Sequence, residues 1–161
     1  MRTAWRLTKT KHLPHAFDGE GPRLYGGRWS SPGRRVVYVS ESLALAVLEV
    51  LVQLQDAAIL PAYSTIRVTF DDALVLPVNP SALPKNWRQS PPPPEAQAVG
   101  DAWIDAASSA ILEVPSAVIE REHNYLINPA HKDFNLVATG PAVSYEFDSR
   151  LLKHLGTESE E

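Results

Sequence analysis

Glu49 is the only ionisable residue in the fourteen-residue run Ser42 to Gln55, SLALAVLEVLVQLQ. Leu43, Ala46, Val47, Val50, Leu51 and Leu54 recur at i, i+3, i+4, i+7, i+8 and i+11, which describes one apolar face of a helix. Leu45, Leu48 and Val52 add apolar surface elsewhere around it, so little of this helix suits water. An ionised carboxylate buried without a partner costs several kcal/mol or takes up a proton. A cationic or hydroxylic group is therefore expected to face Glu49, and a carboxylate kept in such a place is a candidate for chemistry. On these residues alone a plainer reading stands beside it: Glu49 and Gln53 share one flank and would form the solvated edge of the helix.

The other chemistry-bearing residues make weaker patterns. No GxGxxG follows a strand, and GxxxxGK[ST], HExxH and GxSxG are all missing, so dinucleotide-binding, P-loop, zincin and α/β-hydrolase readings lack local support. His123 and His131 lie eight apart and His131 is followed by Lys132 and Asp133, but no third ligand accompanies them and no metal is expected. A Ser116, His123, Asp133 triad can be drawn, yet three common residue types near one another do not make one. Zero cysteines exclude disulfides, thiolate catalysis and Cys-ligated zinc, in agreement with a reducing compartment.

The elements that must position these groups read as an α+β order within one domain of 161 residues, long enough to bury a core. Trp5 to Leu7 opens the first strand, and His12 to Gly27, with four glycines and two prolines, reads as loop. Val36 to Val39 is a buried strand after the Ser31-Pro32-Gly33 turn, and Ser40 is placed to cap the Glu49 helix. Ile66, Val68 and Phe70 alternate with Arg67 and Thr69 as a half-buried strand, and Leu74 to Val78 makes another. Prolines 77, 80, 84 and 91 to 94 leave residues 77 to 94 as an irregular loop placed to cover a site. Glu95 to Ala110 is a surface helix with one packed face. Strands are expected at Ile111 to Val114, Ala117 to Ile119, Asn124 to Ile127, Phe134 to Thr139 and Val143 to Phe147, then a short helix over Arg150 to Leu155 and a frayed tail over 157–161. Strands that cluster late favour a compact twisted or split sheet over a doubly wound parallel one.

Charge is unevenly spread. Residues 1 to 35 carry +6 and residues 36 to 161 carry −10. The basic stretch suits a phosphate-bearing ligand, an acidic partner or nucleic acid. A pI near 5.7 and the lack of zinc-finger or RNP signatures argue against direct nucleic-acid binding. The polar, basic N-terminus and the lack of eighteen consecutive apolar residues give the expectation of a soluble, cytoplasmic protein.

The run YGGRWSSPGRRVVYVSESLALAVLEVLVQL, together with LEVPSAVIEREHNYLINPAHKDF at 112–134, closely resembles the RES domain, a family named for Arg, Glu and Ser positions that supplies toxins of bacterial Xre–RES toxin–antitoxin modules. The resemblance runs from about Trp5 to Phe147 and implies a RES domain over 1–156. Carried over, the family's Arg falls on Arg28, its Tyr on Tyr38, its Glu on Glu49 and its Ser on Ser116, with Arg6 as the early Arg. It implies a fold similar to ADP-ribosyltransferases, a sheet core flanked by helices, and NAD+ as substrate.

On that footing, Arg28 and Arg6 would hold the pyrophosphate by charge-assisted hydrogen bonds. Gly26 and Gly27 would let the backbone approach the ligand, and Tyr38 would offer its ring to nicotinamide and its hydroxyl for orientation. Glu49 would stabilise the oxocarbenium-like ribose, and Ser116 would orient nicotinamide or ribose. Arg28, Tyr38 and Glu49 are the catalytic candidates; Arg6, Arg28, Tyr38 and Ser116 are the NAD+-binding ones. Tyr25 and Trp29 are expected to pack, and Asn128 to make a turn before Pro129.

The resemblance implies an NAD+ glycohydrolase or phosphorylase, with mono-ADP-ribosyltransferase activity on a protein as the alternative and an inactive antitoxin-binding module as a third. No second carboxylate follows Glu49 in Val50 to Gln55, which favours a small acceptor. The implied partner is an Xre-type helix-turn-helix antitoxin that brings the toxin to DNA only indirectly, in a complex open to oligomerisation.

Overall fold

A computed structural model describes residues 1–153 and 155. The tail expected to fray lies outside them. Among the described residues eight strands and three α-helices follow in chain order: β1 (Arg2–Lys9), α1 (Glu20–Tyr25), β2 (Val37–Ser40), α2 (Leu43–Leu51), β3 (Tyr63–Phe70), β4 (Val75–Pro77), α3 (Pro94–Ala106), β5 (Ile111–Pro115), β6 (His123–Ile127), β7 (Ala138–Thr139) and β8 (Val143–Tyr145). Short 3-10 turns link several of them. The strands form one curled mixed sheet in the order β4-β5-β6-β2-β1-β3-β7, with β8 also on β3. Every pairing is antiparallel except β4 with β5.

The sheet is split, as the strand pattern implied. β1 and β3 pair along eight positions, whereas β1 and β2 share one, Trp5 opposite Ser40. Beyond that pair the two halves part, and α2 crosses the seam from the end of β2. Period-two alternation along β2 sends Val37 and Val39 into one core, with Val68, Phe70, Tyr125 and Ile127, and leaves Tyr38 and Ser40 on the opposite face. A second core packs α3, through Ala96 and Trp103, on Trp29, Val36, Leu112, Val114 and Leu126. A third seats Ala46 and Val47 of α2 on Leu7, Tyr63 and Phe147. Full burial of a side chain such as Leu45, Ile111 or Phe70 contributes roughly 1.5–3 kcal/mol.

Several expectations are corrected. Ser42 caps α2, its Oγ accepting from Leu45 N at 3.1 Å, while Ser40 ends β2 and faces β6. The stretch expected as loop from His12 contains a 3-10 turn and α1, which are too short for periodicity to reveal; the Asp18 carboxylate accepts Glu20 N and Glu20 pairs with Arg23 to start α1. Ala117 to Ile119 is no strand, because the Ser116 hydroxyl oxygen accepts both Val118 N and Ile119 N and folds the chain back. The alternation expected for Ile66 to Phe70 is present, with Ile66, Val68 and Phe70 buried, Arg67 exposed and Thr69 half-buried, while β3 begins three residues earlier with Tyr63, Ser64 and Thr65 all buried. Phe134 to Leu136 and Ser149 to Leu152 are 3-10 turns.

Candidate active site

Glu49 sits on α2 beside the end of β5 and the start of β6. Its Oε1 accepts two hydrogen bonds, from the Ser116 hydroxyl at 2.7 Å and from Asn124 Nδ2 at 2.7 Å. Ser116 is 0% exposed, so its hydroxyl, donating to Glu49 and accepting from the 118–119 turn, has no face toward solvent. Ser40, the register partner of Asn124, donates its hydroxyl to Asn124 Oδ1 at 2.7 Å. Oε2 of Glu49 has no hydrogen bond among the described residues. The hydroxylic partner expected for this carboxylate is thus Ser116, and the solvated-edge alternative does not describe a side chain gripped by Asn124 of β6 and by Ser116 just after β5.

Arg28 rides on the tight turn Gly27–Ser30, closed by Gly27 N to Ser30 O at 2.9 Å. Tyr38 supports this turn from below: its Oη shares a hydrogen bond with Ser30 Oγ at 2.8 Å and accepts Trp29 N at 3.2 Å. A Cβ on Gly27 would lie 2.5 Å from that Oη, so only glycine leaves room for the phenol. From the other side α3 contributes Gln97, donating to Gly27 O at 3.1 Å, and Asp101, accepting from Ser31 N at 3.0 Å. Trp29 is buried and stacks on Trp87, centroids 5.7 Å apart. Arg28 Nη1 then donates to Trp87 O at 2.8 Å and Gln89 O at 2.7 Å.

These groups meet in a cleft of about 870 Å³, lined by Arg6, Arg28, Tyr38, Ser40, Glu49, Arg88 and Asn124 among others, a size typical of small-molecule sites. Residues 88 and 90–92 of the proline-rich loop form one wall. Arg6 reaches into the gap where β1 and β2 part, donating to Ala16 O at 3.2 Å and Tyr38 O at 3.5 Å. Neither Arg6 nor Arg28 has a carboxylate partner among the described residues, and burial pulls both below the usual arginine range, Glu49 opposing this at Arg28. Arg88 is held by Ala117 O and Glu120. Among the described residues Glu49 is the only carboxylate lining the cleft, and the described walls carry excess positive charge. A hollow at Glu146–Arg150 is lined by five consecutive residues and has no convergent groups.

Burial pushes the Tyr38 phenol up to about 12. A phenol raised in the folded state stabilises fully below its unfolded value near 10, and the contribution is lost as pH rises from there to about 12. Tyr38→Phe is expected to remove about 2 kcal/mol of the alkaline loss of stability over that window, measured by denaturant unfolding at pH 9 and 11.5.

The triad does not assemble: Ser116 serves Glu49, His123 lies 3.4 Å from Glu41, and Asp133 sits beside His131. Both His131 nitrogens are engaged, one by Ala107 O and the other by Asp133 N. Among the described residues no three His, Asp or Glu stand close enough to hold a metal. Asn128 makes its turn, Oδ1 accepting Ala130 N. Tyr25, expected to pack, is instead 84% exposed at the cleft rim, because α1 ends there and turns it outward.

The sequence profile of the RES domain matches residues 3–148. This chain belongs to the RES domain family. The RES protein "Toxin Res" of Yersinia enterocolitica is 34% identical over 148 residues, covering 91% of this chain and 97% of that protein. The "Prs ADP-ribosylating toxin" of a Sphingobium species is 29% identical over 154 residues, covering 92% and 96%. In structure, a chain of the M. tuberculosis MbcT–MbcA toxin–antitoxin complex superposes with a TM-score of 0.75 at 22% identity, covering 96% of this chain and 88% of that one, and so shares the fold.

The structure of this RES domain brings Arg6, Arg28, Tyr38 and Glu49 to one cleft and sets Ser116 behind Glu49 instead of in the lining. Asn124, Ser40, Gln97 and Asp101 were missed. Asn124 had a signal: asparagine is depleted in strands, and here it stands inside HNYLI on the same face as Leu126.

Proposed function

We propose that this RES-domain protein is the toxin of a toxin–antitoxin pair and consumes NAD+ by breaking its nicotinamide–ribose bond. The observation that carries this reading is Glu49: one oxygen is fixed by Ser116 and Asn124 and, among the described residues, the other is bare, in a cleft that also holds Arg6 and Arg28 without carboxylate partners among those residues. NAD+ matches that charge pattern, with a pyrophosphate for the arginines and a cationic nicotinamide riboside for the carboxylate.

The bond between ribose C1′ and the pyridinium nitrogen breaks with its electron pair moving to nitrogen, giving neutral nicotinamide and an oxocarbenium-like ribose. Glu49 stabilises that developing cation, a preorganised electrostatic contribution of roughly 2.7–4 kcal/mol. Tyr38 contributes its ring, since its hydroxyl holds the Arg28 turn. Ser116 acts through Glu49. Water, losing a proton, or phosphate then adds at C1′ to give ADP-ribose or its phosphate ester.

A second reading, transfer of ADP-ribose to a protein, is favoured by the Sphingobium relative's name. Glu49 being the sole carboxylate in the lining among the described residues favours small acceptors over it. An Xre-type helix-turn-helix antitoxin is the proposed partner, consistent with the toxin–antitoxin complex among similar folds, and DNA is reached only through it. Consumption of NAD+ places the proposed action in the cytoplasm; no helix among the described residues is long and apolar enough to cross a membrane.

The test incubates purified, antitoxin-free protein with NAD+, with and without phosphate, beside Glu49→Ala, following products by mass. Nicotinamide release that vanishes in the variant supports the reading, and the product mass names the acceptor. A folded but inert wild type overturns it; label transferred from NAD+ to lysate proteins would then indicate the transferase, and its absence an inactive antitoxin-binding module.

A further inference from the structure

The cleft contains a polar side chain that the family pattern of Arg, Tyr, Glu and Ser does not include, and it touches the proposed reacting carboxylate directly. Asn124 Nδ2 lies 2.7 Å from Glu49 Oε1, and Asn124 Oδ1 lies 2.7 Å from Ser40 Oγ. The orientation of the amide follows from its neighbours. A carboxylate oxygen accepts only donors, so the NH2 end faces Glu49, the carbonyl end faces Ser40, and the Ser40 hydroxyl must donate. Ser40 is buried, and its strand is locked to β6 over four consecutive register positions, Val37–Ser40 opposite Asn124–Ile127. The amide is therefore held against rotation by a sheet, while Glu49 arrives on a helix.

We propose that Asn124, locked by Ser40, is the positioning residue that fixes the direction of Glu49, so that the sheet and not the helix sets the aim of the carboxylate. This rests on the NAD+-cleaving reading and names a further residue required by it. Two donors on one oxygen hold the carboxylate at two points and leave Oε2 as the oxygen presented to the cleft. The charged groups around Glu49 are Arg28, whose charge acts on it across the cleft, and the other lining arginines, Arg6 and Arg88; Glu41 on the β2–α2 connection is engaged with His123. Ser116 alone would leave the carboxylate free to pivot about a single hydrogen bond.

The test uses purified, antitoxin-free Asn124→Ala, Asn124→Asp and Ser40→Ala proteins. Nicotinamide release is measured against NAD+ concentration from pH 4.5 to 9, and Glu49 is titrated by carboxyl NMR in each protein. Asn124→Ala is expected to lower kcat about ten- to hundredfold, the worth of a hydrogen bond to a charged group, with KM within about threefold. Asn124→Asp sets a like charge against Glu49, so the acid limb of its pH profile and the Glu49 titration should both move upward. Ser40→Ala should show a smaller fall in kcat, since it frees the amide without removing it. Unchanged kcat in Asn124→Ala, or a fall accompanied by lost thermal stability while Glu49 titrates as in wild type, overturns the proposal. Should wild type release no nicotinamide, the functional reading falls separately, and the NMR titration alone decides: an upward shift in Asn124→Asp sustains the positioning role and an unmoved one overturns it.

Discussion

Glu49→Gln is expected to cut nicotinamide release by about 10²–10³-fold while leaving the protein folded. The substitution preserves volume and the local network, because the glutamine carbonyl can accept from the Ser116 hydroxyl and Asn124 amide as Oε1 does now. What changes is the atom facing the cleft, from a bare anionic oxygen to an NH2 group. An interaction made only as positive charge develops on ribose lowers kcat and kcat/KM together. Steady-state rates, with calorimetric NAD+ binding alongside, would check this, and a rate within threefold of wild type would remove Glu49 from the chemistry. Glu49→Ala would lose the same charge but also leave the Ser116 and Asn124 donors facing an empty volume, which makes glutamine the cleaner variant.

The second large effect is structural and has the opposite sign from helix propensity. Gly100 lies inside α3, where alanine normally improves an exposed helix by up to about 1 kcal/mol. Here its Cα faces the carbonyl of Trp29, and a Cβ would lie 1.8 Å from that oxygen. The obstacle is backbone, so no rotamer relieves it, and α3 must move off the turn that carries Arg28. Gly100→Ala is expected to destabilise by about 3 kcal/mol, a fall in Tm of about 6–12 °C for a domain of this size. Differential scanning calorimetry gives the answer; a rise in Tm would mean that α3 does not press on the turn as described. Because Gln97 and Asp101 of the same helix hold Gly27 and Ser31, residual activity should decline too.

Much of the fold could be read from residue order. The apolar period of α2, the Val37–Val39 run and the clustering of strands after Ala110 all have local causes, and the split sheet follows from them. Two kinds of feature were hidden. Elements of three to six residues, such as α1 and the 3-10 turns, lack the length for a period to register, and their caps decide them. Side-chain partnerships between distant segments were hidden as well. Glu49 could be flagged because an acid in an apolar run is conspicuous, but nothing local joins it to Asn124, 75 residues on, or joins Arg28 to the carbonyls of Trp87 and Gln89. Ser116 shows the limit most clearly. Its position was legible, but whether its hydroxyl faced a ligand or a neighbouring carboxylate depended on how the chain after Pro115 turned.

The single paired position between β1 and β2 has a mechanical consequence. Arg6 belongs to one half-sheet, Tyr38 and Asn124 to the other, and Glu49 to the helix that spans them, so the site exists only while the two halves stay in register. Few main-chain bonds enforce that register. Whatever fills the cleft and touches both sides would act as a brace, adding stability by mass action in proportion to RT ln(1 + [L]/Kd), whereas a molecule that wedges the halves apart would disable the site without entering it and leave all three cores intact.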